Sequence, residues 1–275
     1  MKNDNIIHDI KFHKPDVHKE IVVYEGHYNH FNYNKHVHED YTISVIQKGK
    51  MSAFLRGFNY KFDKSSIITI NPDEVHACGI IDNQDYKHRS LYIKPQTIKD
   101  ILKENFSKNQ LSFSNSHFNN DFLYQKLSFL TNEDNISLIN KLSWECELID
   151  IINYILKVNS KANDIIELPA HKVLIKKIID YFNDNYFMQI SLDDISNEFN
   201  ISKYHFIRLF KKHTFVSPHT YLMLVRVEKA KTFLQKGFSI IETAYMCGFN
   251  DQSHLNKKFK TITGLTPGEY KKFFS

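Results

Sequence analysis

The sequence predicts an α+β chain. An N-terminal β-barrel with accompanying helices is followed by an all-α domain of two helix-turn-helix motifs joined by a linker helix. Three observations lead there. Short β-branched and aromatic runs with turn punctuation fill most of the first 95 residues. From about residue 96 the apolar positions recur every three or four residues. A stretch from Phe210 to Tyr221 also returns as Phe259 to Tyr270, 49 residues on. Phe-Lys, a hydroxyl residue followed by Pro, and a closing Tyr all recur in register, which is the mark of a duplicated supersecondary unit.

With 275 residues there is material for two domains, and 22 Phe supply ample core. No apolar run approaches the ~20 residues of a membrane span, and the first residues lack the apolar run of a signal peptide. The expectation is a cytoplasmic protein with no membrane partner. Cys78, Cys146 and Cys247 form no C-x-x-C pair and no even framework, as suits a reducing compartment. The net charge of +5 is unevenly placed. From His171 onward there are 16 Lys and Arg against 9 Asp and Glu, a net of +7, so the first 170 residues carry −2. A basic C-terminal part suits a polyanionic partner; a solvated helix surface is the plainer reading of the same charge.

In the first part, Ile21–Tyr24, Tyr41–Ile46, Ser52–Leu55 and Ile67–Ile70 read as strands, broken at Gly49, Gly57, Asn71-Pro72-Asp73 and Asp82-Asn83. Many short strands at this spacing predict a barrel or jelly roll, whose mouth has room for one small ligand. His36 and His38 alternate and so share one face of a strand. With His76 from a neighbouring strand they form a three-ligand metal site, a metal-free effector pocket or a structural cluster; the sequence leaves all three open. His8, His13 and His18 fit neither a helix face nor a strand face and are read as a solvated N-terminal arm.

The His36-Val-His38-Glu-Asp-Tyr41 stretch and Asn71-Pro-Asp-Glu-Val-His76 resemble a cupin, in the form used as sensor domain by AraC-type regulators. The resemblance implies an effector site at His36, His38, Tyr41 and His76 for a small polar metabolite such as an amino acid or a sugar. It also implies an arm able to close over the effector. Metal-binding cupins carry a Glu a few residues after the second His, where this chain has Thr42 or Ile43. No metal or other cofactor is therefore expected; any metal present would sit on His36, His38 and His76.

Phe122, Leu123, Leu127, Leu130, Ile136, Ile139, Leu142, Leu148, Ile151, Ile152, Ile155 and Leu156 give the region 96–161 its helical period. Its role is packing under the barrel or, by the resemblance, pairing two copies of the chain. The polar run Val158–Asp164 with Pro169 beyond it places a linker at 162–170. The expected organisation is a barrel with its arm at 1–95, the helical region at 96–161, this linker, and the double motif at 171–275.

His171–Asn185 reads as an amphipathic helix, after which capping signals become dense. Ser191, Ser202, Ser217-Pro218, Ser239 with Glu242, Asp251, and Thr266-Pro-Gly-Glu269 each start a helix, while Gly237 and Gly248 end one. Each half is a short helix, a turn and a second helix. On the second helices Phe206, Leu209, Phe210, Leu255 and Phe259 face inward. Lys203, Tyr204, Ile207, Arg208 and Lys211 face outward on the first; Gln252, Ser253, Asn256, Lys257 and Lys260 do so on the second. Cations for phosphate or guanine stand beside amides suited to adenine, with no acid after the cap, and this predicts double-stranded DNA as partner.

From His171 to Phe274 the chain resembles the AraC/XylS DNA-binding domain, through the doubled Phe-Lys…Pro…Tyr, Tyr221-Leu-x-x-x-Arg226-x-x-x-Ala230, and Ala244-x-x-x-Gly248-Phe249-x-Asp251-x-Ser253. The resemblance implies two recognition helices in successive major-groove turns, ~34 Å apart, a homodimer, and contact with RNA polymerase if the protein activates. Two positions depart from the pattern. Ser196 stands where an Ala is usual and needs a partner for its hydroxyl, such as a carbonyl of the preceding turn. Phe215 replaces the Gly retained as Gly264, so the first turn is rebuilt or the Phe packs across the linker helix. Arg226 is expected to orient the linker helix through a salt bridge.

The function these features predict is a sequence-specific transcriptional regulator under small-molecule control. The alternative is a metal-dependent cupin enzyme, or a metal or redox sensor, fused to a DNA-binding module. Thr42 in place of a ligand Glu argues against an enzyme, as does the absence of G-x-S-x-G, P-loop and dinucleotide motifs.

Overall fold

The computed structural model describes residues 7–13, 15, 20–81, 85–102, 112–136, 141–159 and 170–274. Two compact units account for its contacts: Met1–Asn32, His38–Glu74 and Cys78–Asp164 form one, and Tyr33–Val37, Val75–Ala77 and Ile165–Ser275 the other.

The N-terminal part is built from strands β1 (Ile7–His13), β2 (Ile21–Tyr28), β3 (Asn32–His36), β4 (Tyr41–Lys48), β5 (Met51–Leu55), β6 (Phe58–Phe62), β7 (Ser66–Ile70), β8 (His76–Ile80) and β9 (Tyr86–Ile93). Helix α1 (Pro95–Leu102), strand β10 (His117–Asn119) and helices α2 (Asp121–Leu130), α3 (Glu133–Ile136) and α4 (Lys141–Asn159) follow. The strands form an antiparallel six-stranded sheet in the order β1-β2-β9-β4-β7-β10 and a four-stranded sheet in the order β3-β8-β5-β6.

Strand alternation assigns the two faces of the larger sheet different work. Ile21, Val23, Tyr41, Ile43, Val45, Leu91 and Ile93 share one buried core with Leu123, Leu127 and Leu130 of α2 and Trp144, Leu148, Ile151, Ile152 and Ile155 of α4. The opposite face is polar and aromatic. Register sets Tyr24 beside Ser90, Gly26 beside His88 and Tyr28 beside Tyr86 across β2 and β9, and Thr42 beside Tyr92 and Ser44 beside Ser90 across β4 and β9.

Several sequence expectations change here. Residues 7–13 are an edge strand paired with β2 rather than a solvated arm, because alternating Ile10 and Phe12 find a partner strand. The side chain of His8, all of His18, and the linker up to residue 169 lie outside the described residues, as do Ile139 and the side chains of Leu142 and Leu156. The region expected to be helical contains β10, which pairs with β7. Phe122 is 62% exposed, whereas Trp144, which carried no periodic signal, is fully buried.

The C-terminal unit contains α5 (Ala170–Asn185), α6 (Leu192–Glu198), α7 (Lys203–Thr214), α8 (Pro218–Gln235), α9 (Ile240–Met246), α10 (Gln252–Thr263) and α11 (Pro267–Lys272). The duplication is structural: α6 and α9 are each 7 residues long, and α7 and α10 each 12. The repeated aromatics pack alike. Phe210 meets Tyr221 edge-on at 5.4 Å between centroids, and Phe259 meets Tyr270 at 5.4 Å. Helix α8 is buried from Tyr221 to Val227 on every side, so it is a shared core for both motifs.

Candidate nucleic-acid interface and effector pocket

Each second helix is fixed at both ends by the same devices. Ser202 accepts a hydrogen bond from the His205 N–H, and Asp251 accepts one from the His254 N–H, which starts α7 and α10 without frayed first turns. At the far ends Phe215 (φ +62°) and Gly264 (φ +80°) both take the left-handed conformation and donate to the carbonyls of Lys211 and Lys260. The first turn is therefore not rebuilt; Phe215 adopts the glycine geometry. The turns inside the motifs also match, with Asn200 at φ +47° and Gly248 at φ +74°.

Ser196 finds its partner ahead of it. Its hydroxyl donates to the Ile201 carbonyl at 2.5 Å, across the turn, while the Ile201 N–H donates to the Ser196 carbonyl at 3.1 Å. The second copy makes only the backbone half of this pair, from the Phe249 N–H to the Ala244 carbonyl. Arg226 also departs from expectation. It is 4% exposed and donates to the carbonyls of Tyr186 and Met188 at 2.7 and 2.8 Å, with no carboxylate partner among the described residues. A Cβ on Gly248 would come within 2.9 Å of the Tyr186 and Phe187 carbonyl oxygens, so the same loop seats the second motif's turn.

On this frame Lys203, Tyr204, Ile207, Arg208 and Lys211 are all exposed on α7, and Tyr204 is 78% exposed. Tyr204, Ile207, Arg208 and Lys211 line a shallow hollow together with Lys212, which sequence reasoning did not select. Lys203 forms an exposed ion pair with Asp193 at 2.5 Å. On α10, Gln252, Ser253, Lys257 and Lys260 are exposed and Asn256 is half-buried, while Leu255 and Phe259 are buried. Both faces combine donors with no acid beyond the caps, which is the chemistry of a DNA edge and backbone.

In the barrel, His36, His38 and His76 come together, one ring nitrogen from each lying within 4.8 Å of the others. The His36 and His76 rings are 4.1 Å apart. His36 Nδ1 lies 2.7 Å from the Asn34 carbonyl, which makes Nδ1 the donor and puts the lone pair on Nε2. Tyr41 does not join them. It stands on the opposite face of β4, edge-on to Phe113 in the core beneath the helices, where burial pushes its phenol up to about 12.

Sequence reasoning missed the aromatic lining next to this cluster. The Tyr92 ring lies 5.3 Å from His38 and 6.3 Å from Tyr24, and Tyr24, Tyr28, Phe31 and Tyr86 surround His88. The signal was present as the alternation Tyr86-x-His88-x-Ser90-x-Tyr92. Burial pushes the His88 imidazole down to about 4 despite Glu25, which pulls it the other way, so His88 is neutral. Glu25 itself is on the other face: burial raises its carboxyl, but Lys87 and Arg89 outweigh that and hold it below the usual range.

Residues 18–131 match the family described as AraC-like ligand binding domain, and residues 195–272 match a helix-turn-helix domain. The chain is 27% identical to a regulator of Bacillus subtilis described as the uncharacterized HTH-type transcriptional regulator YbfI, over 88% of this chain and 87% of that one. It is 30% identical to an uncharacterized HTH-type transcriptional regulator of Pseudoalteromonas carrageenovora, over 42% of this chain and 69% of the relative. In fold it is similar to the crystal structure of apo ToxT K231A from Vibrio cholerae, with a TM-score of 0.69 and 16% identity over 94% of this chain and 99% of that one. The chain belongs to the AraC family of transcriptional regulators, with an AraC-like ligand-binding domain followed by a helix-turn-helix DNA-binding domain.

Proposed function

We propose that the protein recognises specific promoter sites by setting α7 and α10 into successive major-groove segments of one DNA face. A small molecule held in the barrel governs that docking. The observation that carries this reading is the pair of equally long, equally capped helices whose outward faces both lack acids beyond the cap. Tyr204, Ile207, Arg208 and Lys211 read one segment. Gln252, Ser253, Asn256 and Lys257 read the next, and Lys203 and Lys260 meet the backbone. Lys203 exchanges its exposed partner Asp193 for phosphate at little cost, because ion pairs in water contribute about 0–1 kcal/mol.

Two copies of the chain pair through the helical region; the exposed Phe122, Phe129 and Tyr154 on α2 and α4 support that reading. If the protein activates, RNA polymerase is a further partner. No described helix is long and apolar enough to cross a membrane, and the protein works in the cytoplasm without catalysing a reaction.

The test is equilibrium binding to a site selected from random duplexes. Arg208→Ala and Lys257→Ala are each expected to weaken the selected site by about 1–3 kcal/mol while leaving the fold intact. Undiminished binding by the double variant overturns the assigned surface.

The clustered imidazoles favour a second reading, a regulator that responds to a divalent metal. Three imidazoles are an adequate zinc donor set with a position left over. Thr42 supplies no charge where metal-binding cupins have a carboxylate, so His36, His38 and His76 would hold the ion alone. Protein refolded with zinc or iron that retains none by elemental analysis rules this reading out.

A further inference from the structure

The barrel face opposite the helices is where the reading of a small-molecule effector becomes chemically specific. His88 projects from β9, a strand flanked by β2 and β4. Its neighbour on β2 is Gly26, so no side chain stands beside it there; the Tyr24 and Tyr28 rings fold over the glycine instead, their hydroxyls bonded to each other. The Tyr28 ring is nearly parallel to the imidazole, at 19° and 6.1 Å, while Tyr24 and Tyr86 each lie 5.3 Å away and Phe31 6.3 Å away.

Inside this box His88 Nδ1 is buried without a hydrogen-bond partner among the described residues. A buried polar atom left in that state is costly and calls for a bound group. The imidazole as a whole is half-buried, and burial holds it neutral. Cys78 of β8 is likewise half-buried, and burial pushes its thiol up to about 12. The Tyr86 hydroxyl donates to Met51 Sδ of β5 at 3.1 Å, which joins the six-stranded sheet to the four-stranded one beside this box.

The lining limits what enters. Val22, Tyr24, Gly26 and Tyr28 of β2, Thr42, Ser44 and Ile46 of β4, and Tyr86, His88, Ser90 and Tyr92 of β9 share this face, and with His88 neutral none of them carries a charge. A carboxylate or ammonium here would be desolvated against them without a counter-charge. A sugar would need a partner for each of its several hydroxyls. Ser44 and Ser90 are bonded to each other, and on this face only His88 Nδ1 and Thr42 Oγ1 are buried without a partner among the described residues. Two polar atoms and a ring of aromatic faces match a flat ring with one or two polar substituents.

We propose that the box formed by Tyr24, Tyr28, Phe31, Tyr86 and His88 binds an uncharged, flat aromatic compound, anchored by a hydrogen bond to His88 Nδ1. The proposal rests on the barrel being the effector site and narrows its ligand. It departs from the amino acid or sugar that the sequence resemblance suggested.

Calorimetry and thermal shift on the full chain test it with three probes: phenol, benzoate as its charged counterpart, and D-xylose as a polyol. Phenol should bind and raise the unfolding temperature by mass action, and the other two should not. In the wild type the His88 ring resonances should shift on titration with phenol. His88→Phe, which keeps the bulk and removes the nitrogen, should weaken phenol roughly tenfold or more; a cooperative thermal transition and an unchanged circular dichroism spectrum without any probe certify that the variant is folded. His88→Gln should recover part of the affinity.

Xylose or benzoate binding in place of phenol overturns the flat-ring proposal while leaving the barrel as effector site. No binding by any probe, with His88 resonances unmoved, means that Nδ1 holds only a water and also overturns it. Phenol that binds equally to His88→Phe removes the anchor. Phenol binding through His88 without any effect on DNA affinity keeps the pocket and removes its regulatory role.

Discussion

Phe215 occupies the left-handed backbone region at φ +62°, in the place that Gly264 fills at φ +80° in the second copy. A side chain there costs about 1–2 kcal/mol, of which a glycine returns only part because it loses more chain entropy on folding. Phe215→Gly should therefore stabilise the protein by about 0.5–1 kcal/mol, read as a higher unfolding midpoint in urea at unchanged slope. A lower midpoint would mean that packing of the Phe215 ring outweighs the strain. The sequence flagged this residue by comparison of the two copies and left two outcomes open; the backbone angle excludes a rebuilt turn.

His88 makes the second residue-scale prediction. Its folded pKa is lowered, to about 4, by burial. The unfolded chain binds a proton below about pH 6.5, whereas the folded chain does so only near pH 4. Stability is therefore full above pH 6.5 and falls as pH drops through that window, by on the order of 2 kcal/mol. His88→Gln should flatten the stability curve between pH 6.5 and 4. A slope unchanged by the substitution would contradict an imidazole held neutral in the folded chain.

At the scale of elements, the capping grammar was legible because it is local. Ser191, Ser202, Ser217, Ser239, Asp251 and Thr266 all cap the helices expected of them, since each needs only a side chain and an N–H three residues on. Long-range placement was not legible. Tyr41 has the same local setting as His36 and His38, yet falls on the other face of its strand, because register and not composition decides the face. The strand at residues 7–13 was missed for the same reason: an edge strand is made by its partner.

Arg226 belongs to this scale because it joins elements rather than reading DNA. Its guanidinium bonds the Tyr186 and Met188 carbonyls, in the loop that also receives Gly248. Arg226→Met should leave both carbonyls unsatisfied and cost about 2–4 kcal/mol of stability. The dependence of DNA affinity on salt should remain as in wild type, since no phosphate contact is lost. A shallower salt slope in the folded variant would reassign Arg226 to the backbone of DNA.

For the whole molecule, charge separates the work. The C-terminal part carries a net +7 and the first 170 residues −2, which suits a polyanion such as DNA at the C-terminal part. The duplication then sets the geometry: two motifs with matching helices, matching turns and one shared buried helix, α8, form a single reading unit. A hydroxyl-radical footprint with missing-base interference on a selected site tests this most directly. Two protected major-groove segments on one face are expected, about 10 base pairs apart centre to centre. Arg208→Ala should erase one segment and Lys257→Ala the other. A single protected segment, or two that both survive these substitutions, would contradict it.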